Sequence, residues 1–516
     1  MDKNQFHLLG QHANNNELFF DELERILGIP NSDGYSELVK YINDNKQINI
    51  CQISVRAVSA GKSIFVVINL LNDIFPFLSH KINSLYLFFK TCHYEMKNDF
   101  LFDKQYRLLD KLYHKQPEIV NSLLDRLLRT NDEFVINYIA SIYSLRSITE
   151  FEAIHNELIK LASETSNNTL QGVILALSKL DYLANDKSRL TEHTIRIYGE
   201  LIKRNSESIN SSIAFSLKPF LFKSIKARNQ LLKLSRLKES NTQYQISKIL
   251  DSIYIKFRNT KWFQKLINSF IETSCNQVNI LKQLDLVFSN QIKDLDNFTI
   301  FENFLHSWIL KSDFQESSIN VNVIWRSTLI SLEHNNDLMT RLITNLFNSD
   351  EPIAHIVVRD FINALKQNNK ENIALNREVL DKLKYNDILY VCRKIIGYLF
   401  SAEEIYQLLD SIINHFSEDD KTTNLICSIY SGFLAKDYLS TTKGLIEDTI
   451  QQLPSTKSLL NEKLKTLVNE LKTREEEKNA LPILRELESS KKQHYQIAIE
   501  ESKKIRKLME ISQKDL

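Results

Sequence analysis

The order of apolar and polar residues repeats along this chain. A short polar cluster is followed, many times over, by apolar residues at offsets of four and three, which places their side chains on one face of a helix. Such triplets are Ile64, Ile68 and Leu71; Val135, Ile139 and Ile142; Leu170, Ile174 and Leu177; and Ile388, Cys392 and Ile395. Each triplet predicts a helix that buries one stripe.

The polar clusters act as anchors for these helices, because their side-chain oxygens can cap the first free backbone amides. The clearest anchors are Asn131, Asn167, Ser349, Asn386 and Asp420, and weaker ones are Asn98, Ser206, Asn241, Asn276 and Ser317. Neighbouring anchors lie about 32 to 41 residues apart, which leaves room for two helices per repeat. Second helical patterns do occur between anchored ones, for example over Glu150–Leu161 and Ala402–Ile413.

Between about residue 16 and residue 450 this pattern resembles the HEAT and armadillo-like α-solenoid family. Pro352, Val358 and Arg359 match fragments of the HEAT consensus, although most copies lack the proline and the arginine. The resemblance implies an all-α fold, a right-handed α-solenoid of stacked antiparallel helix pairs. It also implies a non-enzymatic scaffold or adaptor for protein–protein interaction, but it identifies no specific partner.

Three segments follow from this pattern: an N-terminal helical region with irregular repeats over 1–97, helix-pair repeats over 98–454, and a C-terminal helical cap or charged tail over 455–516. In the last segment the residues with helical spacing are Leu460, Leu464, Leu467 and Leu471, and they precede a charge-rich stretch and Pro482. A helical hairpin that caps the last repeat is favoured over a coiled coil, because a solenoid needs a polar terminal unit.

Composition supports a helical fold. The chain has nine glycines and seven prolines, too few for many tight turns, and its 43% hydrophobic residues can build a core. The net charge of +1 excludes a strong positive electrostatic field around the whole protein, so any basic surface must be local. The five scattered cysteines, without a CxxC pair, predict reduced thiols. No signal-peptide core or membrane span is evident, so a cytoplasmic protein is expected.

The stretch SAGKS at residues 59–63 has two interpretations. It partly matches a phosphate-binding loop, and that alternative predicts a nucleotide-dependent enzyme or switch that uses Gly61, Lys62 and Ser63. However, Arg56 occupies the position of the loop's first glycine. A turn between two helices is favoured, in which Gly61 permits the turn, Ser59 or Ser63 caps the second helix and Lys62 is solvated.

A local basic cluster at Lys223, Lys226 and Arg228 is predicted to lie on a single helix and could contact phosphates, as in HEAT-like DNA glycosylases. A solvated helix face is favoured, because the total charge is close to zero. The aromatic residues of the central third are predicted to be core: Trp262, Trp308, Trp325, Phe263, Phe270, Phe301 and Phe304. The Cys92-His93 pair indicates packing rather than metal ligation, and no catalytic residue, metal site or cofactor is predicted.

The leading functional hypothesis is therefore a scaffold that holds a protein partner along an extended helical surface. Nucleic-acid binding by a locally basic groove and the nucleotide-dependent enzyme stay open as alternatives. Abundant Asn, Ile and Lys are typical of AT-rich genomes and many bacterial accessory genes, which widens the hypothesis to a host-interaction, immunity or defence system. The sequence fixes neither the partner nor the oligomeric state.

Overall fold

A computed structural model describes residues 3–28, 32–97, 102–164, 167–182, 187–317, 319–367, 373–454 and 457–480. All regular structure in these ranges is helical, which confirms the predicted all-α class. The chain divides into two compact units, Met1–Ser317 and Ser318–Leu516. The three-segment division stays a prediction, and the Asn98 anchor and the Pro482 hairpin lie outside the described residues.

The α-helices are numbered in chain order. They are α1 (Lys3–Gln11), α2 (Asn16–Leu27), α3 (Ser32–Asp44), α4 (Ile50–Ser59), α5 (Ile64–Leu71), α6 (Ile82–Met96), α7 (Lys104–Lys115), α8 (Pro117–Leu128), α9 (Val135–Glu164), α10 (Asn167–Lys179), α11 (Ser188–Ile202), α12 (Glu207–Ser216), α13 (Ile225–Ser235), α14 (Ser240–Phe257), α15 (Lys261–Asn268), α16 (Val278–Gln291), α17 (Leu295–Lys311), α18 (Val321–Ile324), α19 (Arg326–Glu333), α20 (Asn336–Asn348), α21 (Pro352–Gln367), α22 (Arg377–Leu380), α23 (Tyr385–Tyr398), α24 (Ala402–His415), α25 (Asp420–Ile429), α26 (Ala435–Asp437), α27 (Leu439–Gln452) and α28 (Ser458–Ala480).

Helix α9 contains a break at Glu150, whose φ of −131° and ψ of 48° lie outside the helical region. The break divides α9 into a first half that follows the Asn131 anchor and a second half that matches the pattern predicted over Glu150–Leu161. The two halves therefore act as separate helices in the repeat.

In the first unit the helices pack in two rows. The first row runs through α5, α7, the first half of α9, α10, α12, α14 and α16, and each of these helices contacts the next. The second row runs through α4, α6, α8, the second half of α9, α11, α13 and α15. The first-row helices from α9 onward are those that follow the predicted anchors. The predicted repeat length is therefore the number of residues from the start of one first-row helix to the start of the next.

The second unit has its own two rows. The first contains α18, α21, α23, α25 and α28, and the second contains α20, α22, α24 and α27. Helix α28 begins at Ser458, one repeat after Asp420, and packs on α25 and α27. Its predicted stripe is buried: Leu460, Leu464, Leu467 and Leu471. The stripe is therefore packed within the second unit, so the coiled-coil alternative for it is wrong, while the capping role of the C-terminal segment stays a prediction.

The predicted core is confirmed in both units. Every residue of the four apolar triplets is buried, and Trp308 and Trp325 are fully buried with the four central phenylalanines. Trp262 is only half-buried. These contacts confirm the predicted stacking of helix pairs and the resemblance to HEAT and armadillo-like solenoids, while the right-handed sense of the stack stays a prediction.

The predicted caps need correction at two of the clearest anchors. Helix α23 is capped not by Asn386 but by Asp387, whose carboxylate accepts a hydrogen bond from the Lys384 backbone N–H at 3.0 Å. Helix α25 is capped by Asp419, one residue before the predicted Asp420. Since several polar residues lie close to the start of each of these helices, the sequence locates the helix start but not the capping side chain.

The anchor Asn131 instead joins two repeats. Its side-chain oxygen accepts a hydrogen bond from the Asn168 backbone N–H at 3.3 Å, and its carbonyl oxygen accepts one from the Asn168 side chain at 2.6 Å. A similar hydrogen bond joins α12 and α14, where the Glu207 carboxylate accepts from the Asn241 backbone N–H at 2.9 Å. Polar residues at the repeat starts therefore fix the register between neighbouring repeats.

The cysteines are unpaired, as predicted, and four of the five are buried. Cys92 and His93 are both buried in α6, and the His93 ring lies 5.5 Å from that of Phe102, which confirms the packing interpretation of this pair. None of the helices in the described ranges is long and apolar enough to cross a membrane.

We expect Gly172→Ala to destabilise the first unit, because α9 and α10 pack closely there. A Cβ at position 172 would lie 3.0 Å from the Ile139 Cβ and 3.1 Å from the Ile136 carbonyl oxygen. The expected loss in free energy of unfolding is about 1 to 3 kcal/mol. The matched control is Gly444→Ala in α27, where nothing lies within 4 Å and about 0.5 to 1 kcal/mol of stabilisation is expected. Urea denaturation measures both, and equal effects would contradict this packing.

Candidate interaction surface

The SAGKS stretch forms the turn between α4 and α5. Gly61 has a φ of 101°, which a residue with a side chain rarely adopts, so the turn predicted at this glycine is confirmed. The preceding residues form helix α4 rather than a strand. Ser63 stands at the N-cap of α5, but its side chain makes no capping hydrogen bond. The local structure is therefore helix, turn and helix.

The prediction that Lys62 is solvated is wrong. The Lys62 Nζ lies 2.7 Å from the Asp21 carboxylate and 5.8 Å from the centre of the Phe20 ring, and only 20% of its side chain is exposed. Arg56, at the position of a phosphate loop's first glycine, donates a hydrogen bond to the Ala13 carbonyl oxygen at 3.0 Å. Lys62 and Arg56 are thus both bound to the first helical segments of the chain, and the Lys62 ammonium is paired with a carboxylate rather than open to a phosphate.

The basic cluster predicted on one helix is split between a turn and a helix. Lys223 lies in the turn before α13, whereas Lys226 and Arg228 lie in the first turns of α13. The Lys226 ammonium is 3.3 Å from the Glu192 carboxylate, and Arg228 donates a hydrogen bond to the Leu221 carbonyl oxygen at 2.8 Å. Lys223 is exposed and has neither an ion pair nor a side-chain hydrogen bond within the described ranges. The structure therefore leaves one of the three predicted residues open to a phosphate.

The next turn of the first unit, one repeat later, packs directly on this cluster. The Lys256 Nζ lies 4.9 Å above the Phe222 ring, and the rings of Phe222 and Phe257 are 5.6 Å apart. The Trp262 Nε1 donates a hydrogen bond to the Arg228 carbonyl oxygen at 2.8 Å. We call residues 216–226 and 255–262 together the basic stretch.

The basic stretch has an unusual charge for a protein that is nearly neutral overall. It contains no aspartate or glutamate, and its basic residues are Lys218, Lys223, Lys226, Lys256, Arg258 and Lys261. Two of them are engaged with carboxylates outside the stretch, since Lys226 contacts Glu192 and Arg258 lies 3.6 Å from Asp294. The remaining lysines are exposed to solvent. This stretch is therefore a local positive surface.

Apolar side chains are exposed among these cations. Ile225 is 66% exposed and Ile255 is 76% exposed, and Phe222 is also partly open to solvent. The larger rings are used internally, because Phe257 is buried and Trp262 is half-buried against it at 5.2 Å. The surface thus presents mainly aliphatic groups, and one partly exposed aromatic ring, between its charges.

The basic stretch belongs to a longer edge of the first unit, where first-row helices end and the chain turns into the following helices. We call this the turn edge; it comprises residues 145–152, 180–182, 187–189, 216–226, 255–262 and 291–296. Exposed apolar side chains recur along it at Ile148, Phe222, Ile225, Ile255 and Leu295, whereas the described residues 180–182 and 187–189 contribute none. The turns touch one another, since the Tyr182 ring lies 5.5 Å from Phe151 and 5.2 Å from Phe220.

In the second unit the corresponding turns also expose large apolar side chains. They are Val323 in the last turn of α18, Phe400 after α23 and Tyr438 after α26. The recurrence is therefore a property of the repeat and not of one loop.

A cleft of 470 Å³ opens on the first row between α7, α9 and α10. Its lining includes Asp103, Arg107, Asp110 and Lys179. Desolvation by the cleft walls lowers the pKa of Lys179, and the nearby Asp103 carboxylate opposes this effect. Small-molecule sites are mostly apolar and enclosed, whereas this cleft is charged and open. No group of three or more His, Cys, Asp or Glu in the described ranges is placed to hold a metal ion.

Sequence reasoning found the cations of one turn but missed their neighbours Phe222, Ile255 and Lys256. The repeat itself could have identified these residues, because Lys256 lies one repeat after Phe222 in the sequence. Phe222 lies in the turn after α12, and Lys256 lies in the last turn of α14. Aligning the ends of the repeats, rather than their starts, would bring these residues together.

Comparisons with known proteins give a fold-level likeness alone. No family model matches the chain, and no curated protein matches its sequence. Among solved structures, the crystal structure of Kap121p bound to Ste12p aligns with a TM-score of 0.31 and 11% sequence identity, over 91% of this chain and 53% of that one. This chain thus spans about half the length of that structure. The fold is established by the helix contacts described above and not by this similarity.

Proposed function

We propose that this protein is a non-enzymatic scaffold that binds a protein partner along the turn edge of its first unit. The observation that carries the proposal is that four turns of this edge each expose a large apolar side chain, namely Ile148, Ile225, Ile255 and Leu295. Exposed apolar residues scattered singly need no explanation, but a row of them marks an interaction site. Stacked repeats are suited to this role, because they present extended surfaces.

The composition of the edge supports a protein partner over nucleic acid. Lys226 and Arg228 are engaged with Glu192 and with the backbone, so few cations of the predicted cluster are open to phosphates. Interfaces between proteins combine an apolar core with a polar rim, and the turn edge offers aliphatic groups surrounded by charges. A nucleotide-dependent activity has less support, because Lys62 is ion-paired with Asp21.

The test compares partner capture by three forms of the full chain: wild type, an edge variant and a control variant. The edge variant carries Ile148→Ser, Ile255→Ser and Leu295→Ser. The control carries Leu87→Ser, Leu286→Ser and Val278→Ser, three exposed apolar residues of the same unit away from the turn edge. Because all six are exposed, each substitution is expected to change the free energy of unfolding by no more than about 0.5 kcal/mol.

We expect proteins that co-purify with the wild type and the control to be reduced about tenfold with the edge variant, which corresponds to about 1.4 kcal/mol of binding free energy. Quantitative mass spectrometry of the purified complexes measures this, and each candidate is then rebound as a purified protein. Equal recovery by the edge variant and the wild type would overturn the proposal.

A further inference from the structure

We infer that the basic stretch of the turn edge binds an acidic segment of the partner that also carries aliphatic side chains. This inference rests on the proposed function, since it specifies the chemistry of what the turn edge binds. It adds the charge and the side-chain type of the bound segment.

The basic stretch carries positive charge that no carboxylate in the described ranges neutralises. Four lysines of the basic stretch have no carboxylate partner within the described ranges: Lys218, Lys223, Lys256 and Lys261. The two turns that carry them are in contact through Lys256 and Phe222, so their charges add on one surface. Like charges held together repel one another, and a segment rich in Asp and Glu would relieve that repulsion on binding. Since the whole chain is nearly neutral, this complementarity is specific to the stretch.

An apolar surface lies between the charges of the basic stretch. Ile225 and Ile255 belong to adjacent repeats and are 66% and 76% exposed. Each is flanked by a lysine in the sequence, Lys226 and Lys256 respectively. A segment with acidic groups alone would leave these side chains in water, whereas one that also carries Leu, Ile or Val would cover them. The geometry therefore favours a segment of mixed acidic and aliphatic composition.

The side chains of the basic stretch suit an acidic polypeptide better than nucleic acid. Single-stranded nucleic acid is held by stacking its bases on open aromatic rings. In the basic stretch Lys256 covers Phe222 at 4.9 Å, and the Arg228 guanidinium lies 5.4 Å from the centre of the buried Phe257 ring. The most exposed groups are the branched aliphatic side chains of Ile225 and Ile255, which offer bases no stacking surface, whereas the partly exposed Phe222 ring lies under Lys256. An acidic polypeptide thus uses both features of the stretch, whereas nucleic acid uses only the charge.

The probe is a fluorescein-labelled peptide of about ten residues that alternates Asp or Glu with Leu or Ile. Extended, it spans ~30 Å, enough to cross neighbouring repeats that lie ~10 Å apart. Three comparison probes have the same length: one with Ser for the aliphatic residues, one with Lys for the acidic residues, and single-stranded oligothymidine. Fluorescence anisotropy of each probe is titrated with the full chain at low and at physiological salt.

Two charge reversals are compared. The test variant carries Lys218→Glu, Lys223→Glu and Lys261→Glu. The matched control carries Lys203→Glu, Lys233→Glu and Arg236→Glu, whose targets are exposed and lie toward the opposite ends of the second-row helices α11 and α13. Both variants change the net charge equally, so a difference between them reports position. A third variant, Ile225→Ser with Ile255→Ser, removes the exposed aliphatic groups without changing charge.

We expect the acidic aliphatic probe to bind the wild type at least about tenfold more tightly than any comparison probe. The test reversal is expected to weaken it about tenfold or more, the control reversal less than about twofold, and the isoleucine variant about fivefold. The inference is overturned if the wild type fails to bind this probe, if both reversals act equally, or if oligothymidine binds more tightly through the same lysines. Loss of partner capture by the Ile148, Ile255 and Leu295 variant would still support the proposed function, so the two failures are distinguishable.

Discussion

Leu464→Asp is expected to lower the free energy of unfolding of the second unit by about 4 kcal/mol or more. Leu464 is fully buried in the stripe by which α28 covers α25 and α27. The substitution removes a buried leucine, which costs about 2 to 5 kcal/mol when truncated, and places a carboxylate in an apolar site. Urea denaturation followed by circular dichroism measures the loss, and gel filtration reports aggregation of the exposed repeat.

The same helix provides a matched control. Leu459 is 48% exposed, so Leu459→Asp is expected to change stability by no more than about 0.5 kcal/mol. Ending the chain after Leu453 removes α28 altogether and is expected to cause aggregation, whereas ending it after Ala480 retains the buried stripe. If Leu464→Asp and Leu459→Asp lower the free energy of unfolding equally, α28 does not cap the repeat stack.

Lowering the pH from 7 to 5 is expected to destabilise the first unit by about 2 kcal/mol for each of two histidines. Burial lowers the pKa of His80 and of His155 to about 4, and the His193 ring, 5.7 Å from that of His155, adds to the effect there. In the unfolded chain both take up a proton near pH 6.5. The unfolded state therefore binds more protons between these values, and stability present above pH 6.5 is lost as the pH falls toward 4.

The measurement is urea denaturation at several pH values between 7 and 5. His155 lies 3.0 Å from the Thr194 hydroxyl, so His155→Gln keeps a polar group at that site but removes the titration. This variant is expected to lose about half of the pH dependence contributed by the two histidines. An unchanged pH profile in His155→Gln would contradict the assignment of the acid sensitivity to this residue.

The helices could be predicted from the sequence because burial of a stripe is a local property. Residues four and three apart lie on one face whatever the rest of the chain does, and the stripes through Ile139, Ile174 and Leu464 are all buried. Capping side chains were harder, because Asp419 and Asp420 stand side by side and differ only in backbone conformation. The start of a helix is thus easier to predict than the group that caps it.

The candidate surface could be predicted only in part, because its contacts cross repeats. The partners of Lys62 and Lys226 are Asp21 and Glu192, which lie one repeat away in the sequence. Which carboxylate neutralises a lysine depends on the register between stacked helices, and nothing local specifies it. The exposed isoleucines were missed for a different reason: Ile255 belongs to an apolar segment but lies on the face of α14 that also carries the exposed Lys248 and Asp251.

Hydrogen–deuterium exchange of the full chain, alone and in complex with a co-purified partner, tests most directly whether the turn edge is the interaction surface. We expect binding to slow exchange in residues 145–152, 216–226 and 255–262, and to leave the turns at the other ends of these helices, residues 203–206 and 236–239, unchanged. Protection confined to those opposite turns, or to the helices α7 and α10 that line the polar cleft, would contradict the account.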